Sequence, residues 1–393
     1  MTEFDFDAPI DRRAAADCRK WNRYPADTLP MWVADMDFAV PEPIQAALRT
    51  RLAHPVFGYA GPPASLIEAI LEMLEVRHDW KVASEAIVML PGVEPGFNMA
   101  LRGLLSPGDG VVVQTPIYAP IRAAPLHWGQ RRIEVPLKPT QSGFSADLPA
   151  LENAFAEEGT KAFLLCNPHN PTGKVYDADE LSVIAASCLR HNVLIISDEI
   201  HGDLVYEGGR HYPVASLAPE IAERSITLMS ASKTYNIAGL KAAFAIIPNT
   251  ALRQAFIAAR AGMVDSVNLM GLVATEAALR EGEAWRRALL VYLQGNRDFL
   301  ARELTQRFPM IGFQPPQASF LAWLDCRGLA LAGEPAQFFL EHARIAVSGG
   351  EEFGALGAGH VRLNFGCRRA TLIAALNRLE QALNDPKGTL RPI

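Results

Sequence analysis

From about Pro41 onward, short apolar runs alternate with longer stretches in which apolar and polar residues mix. The runs Ala86–Leu90, Gly110–Thr115, Lys161–Cys166, Val193–Ser197, Ser225–Ser230 and Ala242–Ile247 are too short for helices and largely apolar. That pattern predicts strands buried on both faces. Between the third and fourth runs, Leu181, Ile184, Ala185, Cys188 and Leu189 recur at helical spacing. Asp177 and Asp179 crowd the N-terminal end of this helix, where negative charge complements the helix dipole. Strand–helix–strand alternation predicts an α/β fold whose mostly parallel sheet is covered on both faces. After about Val264 the pattern changes. Long helical stretches run to Phe308, then come strand-like Phe320–Leu324 and Val361–Phe365 and a closing helix from about Ala370. These predict a second, smaller α+β domain. The first forty residues carry Pro25, Pro30 and the aperiodic run Met31–Phe38, which reads as an irregular arm. The expected division is 1–45 for the arm and small-domain segment, 46–275 for the large domain and 276–393 for the small C-terminal domain.

A length of 393 residues suits two domains, or one large domain with an appendage. A net charge of −6 argues against a nucleic-acid face, which shows as clustered basic residues. Cys18, Cys166, Cys188, Cys326 and Cys367 are scattered and form no CxxC pair. Such usage predicts reduced thiols in a cytoplasmic protein, with neither a disulfide framework nor a metal site. Met1 to Ile10 is acidic and lacks the order of a signal peptide, and no apolar run approaches the roughly 18 residues of a membrane span.

In open α/β sheets, ligands bind beyond the carboxyl ends of the strands. The residues just past the predicted strands are Asn167-Pro168-His169-Asn170-Pro171-Thr172-Gly173, Asp198-Glu199-Ile200-His201 and Ser230-Ala231-Ser232-Lys233. One rim therefore gathers an amide, a carboxylate, an imidazole, two hydroxyls and a lysine. An amine beside hydroxyls in a water-poor crevice has its pKa lowered and becomes a nucleophile and Schiff-base former. Taken singly, Lys233 also reads as a solvated surface lysine, Asp198 as a cap, Asn170 as a turn residue and Tyr118 as a core aromatic.

The order Asn170-Pro171-x-Gly173, Asp198-Glu199-Ile200, Ser230-x-Ser232-Lys233 and Arg362-x-Asn364-Phe365-Gly366 resembles the fold-type-I pyridoxal-phosphate superfamily of aminotransferases across essentially the whole chain. The resemblance implies a large domain with a mostly parallel, seven-stranded sheet, a smaller α+β domain, and pyridoxal 5'-phosphate as cofactor. It implies that Lys233 carries the cofactor as a Schiff base and later moves the substrate Cα proton. Asp198 would keep the pyridine nitrogen protonated, Asn170 would hydrogen-bond the 3-oxygen, and Tyr118 would stack on the ring. Ser230, Ser232 and the amides of Gly92, Val93 and Glu94, at the start of a helix expected from Pro95, would hold the phosphate. Arg362 would grip the substrate carboxylate, with Asn170 and Trp32 also at the substrate. Tyr59 resembles the tyrosine that reaches the phosphate from a partner subunit, which implies a homodimer with shared active sites.

Three departures separate the chain from ordinary aminotransferases. His201 stands where tyrosine is usual, Lys241 replaces the arginine after Ala238-Gly239-Leu240, and the arm reads Leu29-Pro30-Met31-Trp32-Val33-Ala34-Asp35-Met36-Asp37-Phe38. All three, with Asn236-Ile237 before Ala238, are similar to the bacterial C–S lyases of the cystathionine β-lyase type. That resemblance implies β-elimination from a small sulfur-containing amino acid, giving thiol, pyruvate and ammonia. His201 would tune the 3-oxygen; its plainer reading is a packing histidine. An amino-acid aminotransferase using the same cofactor is the alternative, and a cofactor-binding regulatory protein without turnover is a third reading.

Overall fold

The computed structural model describes residues 4–141 and 143–384. The ends of the expected division, 1–3 and 385–393, lie outside the described residues, as does the start of the acidic Met1–Ile10 segment. A seven-stranded sheet is built from β1 (Ile87–Leu90), β2 (Gly110–Thr115), β3 (Arg131–Pro136), β4 (Thr160–Cys166), β5 (Leu194–Asp198), β6 (Ser225–Met229) and β7 (Ala243–Ile246). Its order is β1-β7-β6-β5-β4-β2-β3. β7 runs antiparallel to both neighbours, and the other pairs are parallel.

Six of these strands are the apolar runs of the sequence, shifted by a residue or so at their ends. The seventh, β3, carries Arg131, Arg132 and Glu134 and lies at the sheet edge, where one neighbour suffices. Its charges pair outside the core: Arg132 Nε meets Glu134 Oε1 at 2.7 Å and Arg122 Nε meets the same oxygen at 2.8 Å. An edge strand does not need the unbroken apolar run that marks a central one, so it left no such run to read.

Helices cover both faces. Val93–Leu104 packs on one side through Val93, Phe97, Ala100 and Leu101. Leu148–Ala156 and Ala178–Arg190 cover the other through Leu151, Phe155, Leu181, Ile184, Ala185 and Cys188. Asp177 caps the second of these by accepting from the Glu180 amide at 2.8 Å. A separate four-stranded antiparallel sheet joins Gly312–Phe313, Leu321–Asp325, His360–Asn364 and Ser348–Gly349 in that spatial order. Its core draws on Leu289 and Leu293 of helix Glu283–Arg307, on Leu372 and Leu376 of helix Arg369–Asn384, and on Met31, Met36 and Phe38 of the arm. Leu29–Pro30 also pairs in parallel with Ile345–Ala346. The arm also holds a short helix, Arg19–Asn22, and its Met31–Phe38 run is irregular. All five cysteines are free thiols. Among the described residues no cluster of His, Cys, Asp and Glu could hold a metal ion, and no helix is long and apolar enough to cross a membrane.

Candidate active site

The ends of β4, β5 and β6 are level because the ladder continues into their loops. Asn167 N–H donates to the Asp198 carbonyl at 2.9 Å, and Glu199 N–H donates to the Leu228 carbonyl at 2.9 Å. The segments 167–173, 198–201 and 230–233 therefore share one rim. Asp198, the last residue of β5, is buried, and its Oδ1 accepts from the Ile200 amide at 3.1 Å. It thus caps its own turn and lies close enough to Lys233 for their charges to interact. Burial pushes its carboxyl up to about 7, against the pull of the Ile200 amide and the Lys233 ammonium.

Lys233 follows β6 and reaches across to the arm, where its Nζ donates to the Ala34 carbonyl at 2.6 Å. Burial, then the Arg362 cation, lowers its pKa to about 8, while Asp35 and Asp198 work the other way. Arg362 lies on the small sheet, paired with Trp323 and Ser348. Its Nη1 donates to Asn170 Oδ1 at 3.1 Å and its Nη2 to the Trp32 carbonyl at 2.9 Å, while the Phe353 ring lies 5.0 Å from its guanidinium carbon. Its Nε is buried without a partner, and burial lowers its pKa to about 10. His201 is buried, with Nδ1 unpartnered. Burial and the charges of Lys233 and Arg362 hold its pKa near about 3, so the ring is neutral at physiological pH.

Tyr118 is half-buried, its amide donating to the Asn170 carbonyl at 3.0 Å. Burial raises its phenol pKa, followed by the charge of Glu94. Glu94 lies in the first turn of helix Val93–Leu104, which begins two residues before the expected Pro95. The first turn of a helix leaves its amides without partners; here those of Val93 and Glu94 remain, since Pro95 has none. The hydroxyls of Ser230 and Ser232 lie 2.7 Å apart beside the Ala242 carbonyl.

Tyr59 lies apart from this crevice, Lys241 borders it closely enough for its charge to act on Lys233, and Trp32 enters it by its backbone alone. Tyr59 and Lys241 line a groove of about 620 Å³ with Phe57 and Pro91, and both are exposed. Trp32 offers its carbonyl to Arg362, but its indole lies among Tyr24, Arg19 and Arg23 and donates to the Lys20 carbonyl at 3.3 Å. Several groups went unread in the sequence. Ala34 contributes only a carbonyl. Asn236 and Asn364 stood inside the motifs, and both turn out to grip the arm. The aperiodic run Met31–Phe38 was itself a signal, because backbone without a ladder needs side chains to satisfy it.

Comparison with known proteins bears on what this arrangement is. The sequence signature described as "Aminotransferase class I and II" matches residues 30–379. A Bacillus subtilis protein named cystathionine beta-lyase PatB is 38% identical over 361 residues, covering 91% of this chain and 93% of that protein. A Mycobacterium tuberculosis protein named putative cystathionine beta-lyase is 40% identical over 395 residues, covering 93% and 94%. The crystal structure of cystalysin from Treponema denticola, which contains a pyridoxal 5'-phosphate cofactor, superposes with a TM-score of 0.94 at 30% identity over 98% of this chain and 100% of that one. The strand-end rim, the seven-stranded sheet and these matches agree: the chain belongs to the class I and II aminotransferase family, the fold-type-I pyridoxal-phosphate enzymes.

Proposed function

We propose that this chain is a pyridoxal-phosphate-dependent C–S β-lyase, which takes small β-thio amino acids of the cystathionine or cysteine type to thiol, pyruvate and ammonia. The observation that carries the reading is the meeting of Lys233, Asp198 and Arg362 in one crevice, on a chain 38% identical to a protein named cystathionine β-lyase. The residues present fit the cofactor. A buried carboxyl pushed up to about 7 is short of positive charge, and a protonated pyridine nitrogen supplies it. The unpartnered Nδ1 of His201, the paired hydroxyls of Ser230 and Ser232 and the free amides of Val93 and Glu94 offer polar contacts around it. When bound, the cofactor contributes a ring that draws electrons from the substrate Cα.

The rest is work for the chain's own side chains. Arg362, with Asn170 fixed against it, binds the α-carboxylate and sets the angle of the Cα–H bond. Lys233 takes the Cα proton: the C–H bond breaks, an N–H bond forms, and the electron pair stays with the substrate. Lys233 then holds the proton that a departing thiolate requires. Released aminoacrylate hydrolyses to pyruvate and ammonia. Neutral His201 contributes a hydrogen bond without charge, and Tyr118 a face for the ring.

Lys241 and a Tyr59 supplied by a second copy of the chain complete the phosphate site, so the enzyme is a homodimer. The full exposure of Tyr59, with Val56 and Phe57 also exposed beside it, supports this. The division at residues 45 and 275 and a cytoplasmic location belong to the same reading; the free cysteines support the latter. The test is incubation with L-cystathionine and no keto acid, with pyruvate and free thiol measured together. A lyase releases both in equal amounts. Amino-group exchange that needs a keto acid and yields no pyruvate assigns the chain to the aminotransferases instead.

A further inference from the structure

Between Met31 and Met36 every carbonyl of the arm accepts a hydrogen bond. Met31 accepts from the Asn364 amide at 2.9 Å and Trp32 from Arg362. The Asn364 side-chain amide donates to Val33 and Asp35, both at 2.6 Å. Met36 accepts from Asn236 Nδ2 at 2.9 Å and from Arg12 at 3.0 Å. Ala34, at the centre, accepts from Lys233 Nζ. Side chains thus fix this irregular backbone as a ladder would. Gly366 permits the approach: a Cβ there would lie 2.8 Å from Met36 Cγ, and its carbonyl accepts from the Asp37 amide at 2.9 Å.

Behind the arm lies a cluster of four charges. Arg12 reaches Asp35 at 3.0 Å and Asp37 at 2.7 Å. Lys20, buried, reaches Asp35 at 3.3 Å and Asp37 at 3.1 Å, and also donates to the Asp35 carbonyl at 3.0 Å. Trp21 Nε1 donates to Asp37 at 2.9 Å. Buried charges are a poor way to gain stability alone, because desolvation offsets much of their attraction. What this cluster does achieve is to clamp the peptide on the C-terminal side of Ala34.

We propose that Arg12, Lys20, Asp35 and Asp37 are positioning residues for Lys233, locking the Ala34 carbonyl as the seat on which its amine rests while it exchanges a proton with the substrate Cα. The proposal rests on the reading of Lys233 as proton carrier. A carbonyl seat leaves the lone pair of a neutral amine free, since the amine donates to it, and so aims that pair rather than consuming it. The charged groups facing Lys233 are Arg362 from the small sheet, Lys241 beyond its own turn, Asp198 from β5 and Asp35 from the arm, with neutral His201 beside them. Of the acids, Asp35 counts first. It therefore also helps to set the pH at which the amine gives up its proton.

The test uses the full-length holoenzyme and the variants Asp35→Asn, Lys20→Met and Lys20→Arg. Three quantities are read: kcat and KM across pH for elimination from L-cystathionine, exchange of the L-alanine Cα proton in D2O, and amide hydrogen exchange over residues 31–38. Asp35→Asn and Lys20→Met are expected to lower kcat and alanine exchange by about tenfold or more, as small misplacements of a reacting group do, with KM within about twofold. Arm amides exchange faster, and the acidic limb of kcat in Asp35→Asn moves to lower pH. Lys20→Arg keeps the charge and most of the rate. If Lys20→Met does not fold, Asp35→Asn, which removes charge without volume, decides alone. Faster arm exchange with unchanged alanine exchange overturns the proposal and leaves the cluster a structural clamp. A raised KM with unchanged kcat overturns it too, as substrate contact. A wild type that exchanges alanine protons but releases no pyruvate defeats the lyase reading and leaves this inference standing.

Discussion

Asp198 and Lys233 are moved toward each other's range by the same cause. Burial disfavours charge, so the carboxyl rises to about 7 and the amine falls to about 8. Neither value would follow from a strand-end aspartate or lysine in water. The two plain readings of Asp198, a turn cap and a cofactor partner, turn out to be compatible, because Oδ1 serves the Ile200 amide while the group keeps its deficit of positive charge. Removing the carboxylate separates them. Asp198→Ala is expected to fold, to keep cofactor on Lys233, and to lose elimination by at least about a hundredfold, equivalent to about 3 kcal/mol of barrier. Borohydride reduction and peptide mass mapping read the first, pyruvate release the second. Turnover within about threefold of wild type reduces Asp198 to a cap.

At the level of elements, the loops rather than the strands bring the two sheets together. The turn after β4 ends at Gly173, whose φ is +68° and whose carbonyl accepts from the amides of Gln317 at 3.0 Å and Ala318 at 3.2 Å. A Cβ at this position would lie 2.2 Å from Pro316 Cβ and 3.0 Å from its Cα. Gly173→Ala is therefore expected to cost about 1–3 kcal/mol through strain and overpacking. It should also raise KM, because Asn170 in the same turn is bonded to Arg362. Thermal melts and saturation kinetics check both, and an unchanged melt means that the turn relaxes freely. The sequence made these strand ends legible because a buried strand is a continuous apolar run, and the polar residues that follow it stand out. It left β3 unread, since an edge strand tolerates charge. It also left unread the hold of Asn236 on Met36, 200 residues away, and of Asn364 on Val33, 331 residues away. No local period records a contact at that separation. The direction of the Trp32 indole, away from Arg362 and toward Tyr24 and two arginines, was illegible for the same reason.

Across the whole molecule, buried neutral histidines set how the fold responds to acid. His78 and His169 are held near about 4 and His201 near about 3, burial being the largest cause for each. An unfolded chain takes up these protons near pH 6.5, so between about 6.5 and 4 it binds more of them than the folded one. Stability therefore falls as pH falls through that window. A displacement of about 2.5 pH units in one such group corresponds to at most roughly 3 kcal/mol. Asp198 acts with the opposite sign. Its folded carboxyl binds a proton near about 7 and its unfolded one only near 3.8, so acid stabilises the fold at that site. A protonated pyridine nitrogen beside Asp198 keeps it ionised and removes this opposing contribution. Holoenzyme is thus expected to lose melting temperature steadily from pH 7 to pH 5, and more steeply than protein stripped of cofactor. Calorimetry of the two forms at pH 7, 6 and 5 measures both slopes. Parallel slopes would show that Asp198 titrates alike with and without the cofactor, and so that its carboxyl does not face the ring nitrogen.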